Sequence, residues 1–400
     1  MSMLKSHLVR QPNNNQNTDT KIKYNAVTPA ILQNYYTPVQ TIKKNLGYNN
    51  PTVAIIIDYT GNPIGTDVNM YSDYYSIPRM NIPDVNGNLV VTDPILANLQ
   101  IYYQSLTDLT YYTTNLATVN YPPLTTPQLE VALDTQAIHG IAPYVNIIVI
   151  LVPALSNPCC QAAILFAHNT LSKFNNIVAV SMSWGGGEGT VMNNAFNTQN
   201  CFQNPNIVNI ASTGDNGSRP NQQQPAANVI ACGGTSLVML PDNTYSEYAW
   251  NGSGGGICTT VNKPLNQINL PYAKRSVPDV AMNGDPYTGI RIVVNGIQNP
   301  SGIGGTSLSA PLLAGQLASS IQQYIINNNI SITKKVFVKQ SDYLIFVYYL
   351  SSNNMTDVTI QGTSWPWNNI QKPSVGYDLV TGYGSPKYIM MLSNLLYSVI

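Results

Sequence analysis

The chain has 400 residues, and only 9% of them are charged, against roughly 25% in an average soluble protein. Lys+Arg and Asp+Glu are 18 each, a balance that leaves no basic face for displacing counterions from nucleic acid and no polybasic patch for a membrane surface. Hydrophobic residues at 44% suffice for a core, which excludes global disorder and leaves a surface of Asn, Gln, Ser, Thr and Tyr.

In chain order, residues 1–23 are polar, with NNNQNTDT at 13–20, and read as a disordered tail without an apolar signal-peptide core. Residues 24–400 show no linker, charge run or repeat and read as one domain. Short β-branched runs at 53–57, 146–152, 177–183, 207–211 and 229–231 predict buried strands. Helical patterns lie near 127–139, 159–173 and 189–201, from Ser307 toward Ile326, and near 386–397. This alternation predicts an α/β fold with a mostly parallel central sheet and helices on both faces. No run reaches 18 apolar residues, so no transmembrane helix is expected. Five cysteines without a Cys-x-x-Cys pair argue against structural zinc and read as buried free thiols.

Two places carry chemistry. In the helix after Pro127, Thr126 suits the N-cap and Pro127 the first helical position. Glu130 and Asp134, one turn apart, share a face with Val131, Leu133, Ala137 and Ile138. A solvated acidic face is the ordinary reading of such a pair. On an apolar stripe facing the interior, both cannot readily ionise, and the pair becomes a candidate acid–base dyad. In SGIGGTSLSAP at 301–311, a glycine-rich turn delivers Ser307 to a helix start, where backbone N–H groups favour an oxyanion. An isolated GTS would be an N-cap, but the longer Gly-Thr-Ser-x-Ser-x-Pro pattern is more specific. GSGGG at 252–256 is not followed by Lys-Ser/Thr, so it is no P-loop.

With EVALD upstream of GGTSLSAP, the sequence resembles the sedolisins, the serine-carboxyl peptidases. TVAIIIDYTGN (52–62), VSMSWGGGE (180–188), STGDNGS (212–218), PAANVIACGGTSL (225–237), WNGSGGGI (250–257), SVPDVAMNGDPYTG (276–289) and VGYDLVTGYGSP (375–386) follow in the family's order. The resemblance implies a subtilisin-like fold and an acid endopeptidase acting on protein or peptide substrates, without nucleic acid or membrane, as a monomer. Ser307 then matches the nucleophile, Glu130 the general base, Asp134 the residue orienting that base, and Asp215 the oxyanion-hole aspartate. Asp58 and Trp184 match a supporting network, with Asp58 where a glutamate is common. The resemblance also implies one Ca²⁺ within about 355–386, held by Asp357, Asp378 and the carbonyls of Val358, Ser374 and Gly376. Ser374 stands in place of a glycine. An all-oxygen set suits a hard cation. Acid-active relatives work outside cells, in acidic compartments or associated with particles. Gln222, Gln223 and Gln224 stand where some relatives carry an acidic residue shaping the S1 pocket.

Two other readings stay open at this stage. A Ser-His-Asp peptidase could use Asp58 and Ser307, with His7, His139 or His168 as the third member. His139 lies nine residues beyond Glu130, on the opposite helix side and roughly 13 Å along the axis. All three read more simply as ordinary polar or surface histidines. A non-catalytic pseudoprotease or coat component on the same fold is the other.

Overall fold

The computed structural model describes residues 5–6, 9–10, 22–37, 45–58, 63–105, 107–113, 129–186, 201–202, 204–218, 229–331, 333–349, 355–363, 371–386 and 397–399. Its elements begin with the short strands β1 (Lys5–Ser6) and β2 (Val9–Arg10), then α1 (Pro29–Tyr36), β3 (Pro51–Asp58), α2 (Ile64–Tyr75), β4 (Leu99–Gln104) and β5 (Tyr111–Tyr112). There follow α3 (Leu129–Ile141), β6 (Asn146–Val152), α4 (Asn157–Phe166), β7 (Asn176–Met182), β8 (Trp184–Gly185) and β9 (Val208–Ser212). β10 (Ile230–Met239), β11 (Tyr245–Ala249), β12 (Gly256–Asn262), β13 (Lys274–Val277) and β14 (Val280–Asn283) precede a long helix, Thr306–Asn327.

One nine-stranded sheet organises the molecule, in the order β11-β10-β9-β7-β3-β6-β4-β5, with β14 also on β10. Pairings from β10 through β4 are parallel, and the edge strands β11 and β5 run antiparallel. Val53 to Ile57 of β3 are fully buried, so both faces of the central strand are covered. That explains its unbroken apolar run: alternation is lost when neither face meets water. β4 escapes such a reading because Leu99, Ile101 and Tyr103 alternate with the less buried Gln100 and Tyr102.

α3 and the long helix pack on each other, and both touch β3. Every residue of α3 is buried, polar ones included. The predicted apolar stripe is therefore only part of a helix enclosed on all sides. Gly315 sets the spacing of the two helices, since a Cβ there would lie 2.6 Å from Ile141 Cγ2. Thr126 and Pro127 lie outside the described residues, as do residues 189–200 and 387–396 of two expected helices. The ends of the last of these, Pro386 and Tyr397, belong to strands.

Of residues 1–23, only 5–6, 9–10 and 22–23 are described, and these pair with the domain. β1 pairs antiparallel with β8, Lys5 opposite Gly185 and Ser6 opposite Trp184. β2 pairs antiparallel with Ile303–Gly304, Val9 opposite Gly304 and Arg10 opposite Ile303. Lys23 bridges to Met239. Ladder bonds use backbone groups alone, so no apolar pattern announces them. No disulfide joins the five cysteines, all of them among the described residues, and four are buried.

Candidate active site

Ser307 sits in the first turn of the long helix and is fully buried. The turn before it needs glycine at Gly305, whose φ is +98°. Its hydroxyl donates to the carbonyl of Ser183, just before β8, at a long 3.4 Å. The Ser183 hydroxyl points the other way, 2.8 Å from Asp134 Oδ1 and 3.2 Å from the Ser307 carbonyl. Ser183 therefore touches both the nucleophile's backbone and the acid helix. It was not singled out from sequence, although it lies inside the VSMSWGGGE motif.

Glu130 and Asp134 project from successive turns of α3 and are buried, Glu130 at 5% exposure and Asp134 at 0%. Burial pushes both carboxyls well above the usual range, and the neighbouring Asp134 charge pushes Glu130 further. The Ser307 hydroxyl opposes the rise of Glu130, and Asp215 and Asp58 add to it. Among the described residues, no donor lies within hydrogen-bond distance of either carboxyl oxygen of Glu130 or of Oδ2 of Asp134. Three orphaned carboxyl oxygens one turn apart are relieved when the pair retains a proton.

Asp215, in the loop after β9, reaches the same helix start from the other side. Its Oδ1 accepts from the Thr306 N–H at 2.7 Å and the Thr306 hydroxyl at 2.9 Å. Thr306 Oγ1 in turn accepts from the Gly214 N–H at 2.9 Å. Burial raises the Asp215 pKa to about 7, against the pull of the two Thr306 bonds. Below that pH its carboxyl is neutral and can donate. Asp58 ends β3, with its pKa raised by burial. Trp184 donates its indole N–H to the Ile56 carbonyl at 2.7 Å, tying β8 to the same end of β3.

The two described histidines, His139 and His168, are not surface groups and do not join this cluster. His139 is buried, with Nε2 2.9 Å from the Ser72 hydroxyl and 2.8 Å from the Pro78 carbonyl. His168 is buried between Asn209 Oδ1, at 2.9 Å from Nε2, and the Asn204 N–H, which donates to Nδ1. His7 lies outside the described residues.

Farther along the chain, one loop gathers the expected cation ligands. Asp357 Oδ2 accepts from the Gly376 N–H at 2.8 Å. Buried Asp378 accepts from the N–H groups of Ser374, Val380 and Thr381 and from the Thr381 hydroxyl. Two carboxylates and three backbone carbonyls are an oxygen-only set of the chemical kind a hard cation takes. Residues 222–224 lie outside the described residues.

Known proteins with this architecture carry the comparison further. The subtilase family model matches residues 120–342. The chain is 32% identical over 304 residues to kumamolisin of Bacillus sp. (strain MN-32), covering 68% of this chain and 51% of kumamolisin. It thus spans about half the length of that relative. Its fold resembles Pseudomonas sedolisin, a serine-carboxyl proteinase solved with two molecules of pseudo-iodotyrostatin, with TM-score 0.63 and 20% identity over 93% of this chain and 98% of that one. It also resembles an S41 psychrophilic protease, with TM-score 0.55 and 15% identity over 90% and 98% of the two chains. With its subtilisin-like fold, the chain belongs to the subtilase family of serine peptidases.

Proposed function

We propose that the protein is an acid-active endopeptidase that cleaves peptide bonds with Ser307, Glu130, Asp134 and Asp215. The observation that carries this reading is the buried, donor-starved carboxyl pair beside Ser307. In this reading the Ser307 hydroxyl leaves its long bond to the Ser183 carbonyl and turns to Glu130. Oγ attacks the substrate carbonyl while Glu130 takes the proton, acting as general base. Asp134 shares the proton held between the two carboxyls and so keeps Glu130 basic. Neutral Asp215 donates to the oxyanion at the start of the long helix. Glu130 then returns its proton to the leaving amine, and water releases the acyl group by the same steps.

The substrate is an extended protein or peptide segment. β8 and Ile303–Gly304 are two short strands near Ser307 in the chain or in space, and strand addition suits such edges. The chain's own β1 and β2 pair with them. Ser307→Ala is expected to abolish cleavage of an unfolded protein, and Glu130→Gln to come close to it. Full activity in either variant would falsify this assignment.

The same reading includes one Ca²⁺ held by Asp357, Asp378 and the carbonyls of Val358, Ser374 and Gly376, where it would fix the loop structurally. At a hundredfold excess over Kd such an ion stabilises by about 2.7 kcal/mol. EDTA at neutral pH should lower Tm, and Ca²⁺ should restore it better than Mg²⁺. A melting curve indifferent to EDTA, with no metal by elemental analysis, removes the ion from the account.

A further inference from the structure

The Ser307 carbonyl is in an unusual position for a helix. Its regular partner would be the N–H four residues on, but that residue is Pro311, which has none. The group that reaches this carbonyl instead is the Ser183 hydroxyl, at 3.2 Å. That hydroxyl also reaches Asp134 Oδ1 at 2.8 Å. A serine hydroxyl has one proton, so it cannot donate to both acceptors at once. With Asp134 ionised, Ser183 donates to Oδ1, and the Ser307 carbonyl goes without. With a proton on Oδ1, Asp134 donates to Ser183, and Ser183 donates to the Ser307 carbonyl.

We propose that Ser183 is a positioning residue that couples the protonation of Asp134 to the first turn of the nucleophile helix, and that Pro311 creates the coupling by leaving the Ser307 carbonyl free. This rests on the reading of Glu130 and Asp134 as the acid–base pair. Ser183 is fully buried. Its hydroxyl faces Asp134 and the Ser307 backbone, while its own carbonyl holds the Ser307 hydroxyl at rest. One residue thus meets Asp134 at Oδ1, the oxygen whose proton reverses the bond, and sets the resting place of the nucleophile's proton. Two charged groups outside α3 weigh on the pair: Asp215, against the start of Ser307's helix, and Asp58, at the end of β3.

The two substitutions that break this bridge should act in opposite directions. Ser183→Ala removes a donor from Asp134. The ionised form loses support, and the acidic limb of kcat/KM moves up by about half to one pH unit. Pro311→Ala supplies an N–H for the Ser307 carbonyl and frees the Ser183 proton for Asp134 alone. The acidic limb then moves down. In Ser183→Ala, kcat falls by about tenfold to a hundredfold, as misplacement of reacting groups does, while KM holds. Ser183→Cys, close in size with a weak donor, should shift the limb in the same direction as Ser183→Ala but less, and it serves if the alanine variant does not fold.

The experiment is the pH dependence of kcat and KM on one peptide for wild type, Ser183→Ala, Ser183→Cys, Pro311→Ala and Glu130→Gln. Opposite limb shifts in the alanine variants at positions 183 and 311 support the proposal. Limbs that stay in place, or that move the same way in both, overturn it and leave Ser183 as a packing residue. Full activity in Glu130→Gln overturns the underlying acid–base reading instead.

Discussion

At the scale of single residues, the account turns on where protons rest. Asp215 is held by Thr306 through one oxygen, and burial keeps its carboxyl protonated up to about pH 7. Asp215→Asn keeps a neutral donor at every pH, so activity should persist above pH 7, where the wild type fades. Asp215→Ala should lower kcat by about 10²–10³, the usual cost of one oxyanion donor. A pH–kcat profile of both variants checks this; an asparagine variant that fades at the same pH as wild type would remove the role of that proton. Ser307, Glu130 and Asp134 stood out in the sequence through their own motifs, and Asp215 through the family resemblance alone. Ser183 did not, because its role depends on two contacts distant in sequence. One signal was available: Pro311, four residues after Ser307, announces a carbonyl in need of a donor.

At the scale of elements, β3, β6 and β7 were readable because strands covered on both faces lose polar alternation. β1 and β2 were hidden, since their pairing with β8 and Ile303–Gly304 is a backbone matter inside a polar segment. Their placement has a kinetic consequence within the proposed function. A substrate strand needs the same two edges, so it must displace β1 and β2. If only a fraction of molecules has the edges free, apparent affinity falls by that fraction. Deleting residues 1–10 should therefore lower KM for an extended peptide several-fold with kcat unchanged. Steady-state kinetics on the shortened chain decides it, and an unchanged KM would show that the strands do not compete with substrate.

At the scale of the whole molecule, pH acts on stability from two sides. Burial lowers the pKa of His139 and His168 to about 4, while an unfolded histidine titrates near 6.5. The unfolded state therefore binds more protons between these values, and stability drops as pH falls from 6.5 to 4. Each histidine accounts for on the order of 3 kcal/mol over that window. Asp215 acts in the opposite sense. Its folded pKa of about 7 lies above the usual 3.8, so the native state holds the extra proton and stability drops as pH rises through that interval. Glu130 and Asp134, also raised, push the same way as Asp215. Thermal melts should thus show the loss on the acid side shrinking when His139 or His168 is replaced by a neutral residue that keeps its hydrogen bonds, such as glutamine. A melting profile on the acid side identical to wild type in both variants would contradict this. The sequence gave no sign of buried histidines, because a histidine's burial depends on partners such as Ser72 and Asn209 that lie far along the chain.

The most direct measurement of the central claim is the pH dependence of kcat/KM on an unfolded protein substrate, with Ser307→Ala and Glu130→Gln run beside the wild type. A carboxyl pair as the base and a protonated Asp215 as the oxyanion donor predict activity in acid that declines as pH passes through about 7. They also predict near-complete loss in both variants at every pH. Activity that rises through neutrality to an alkaline plateau and survives Glu130→Gln would contradict the account.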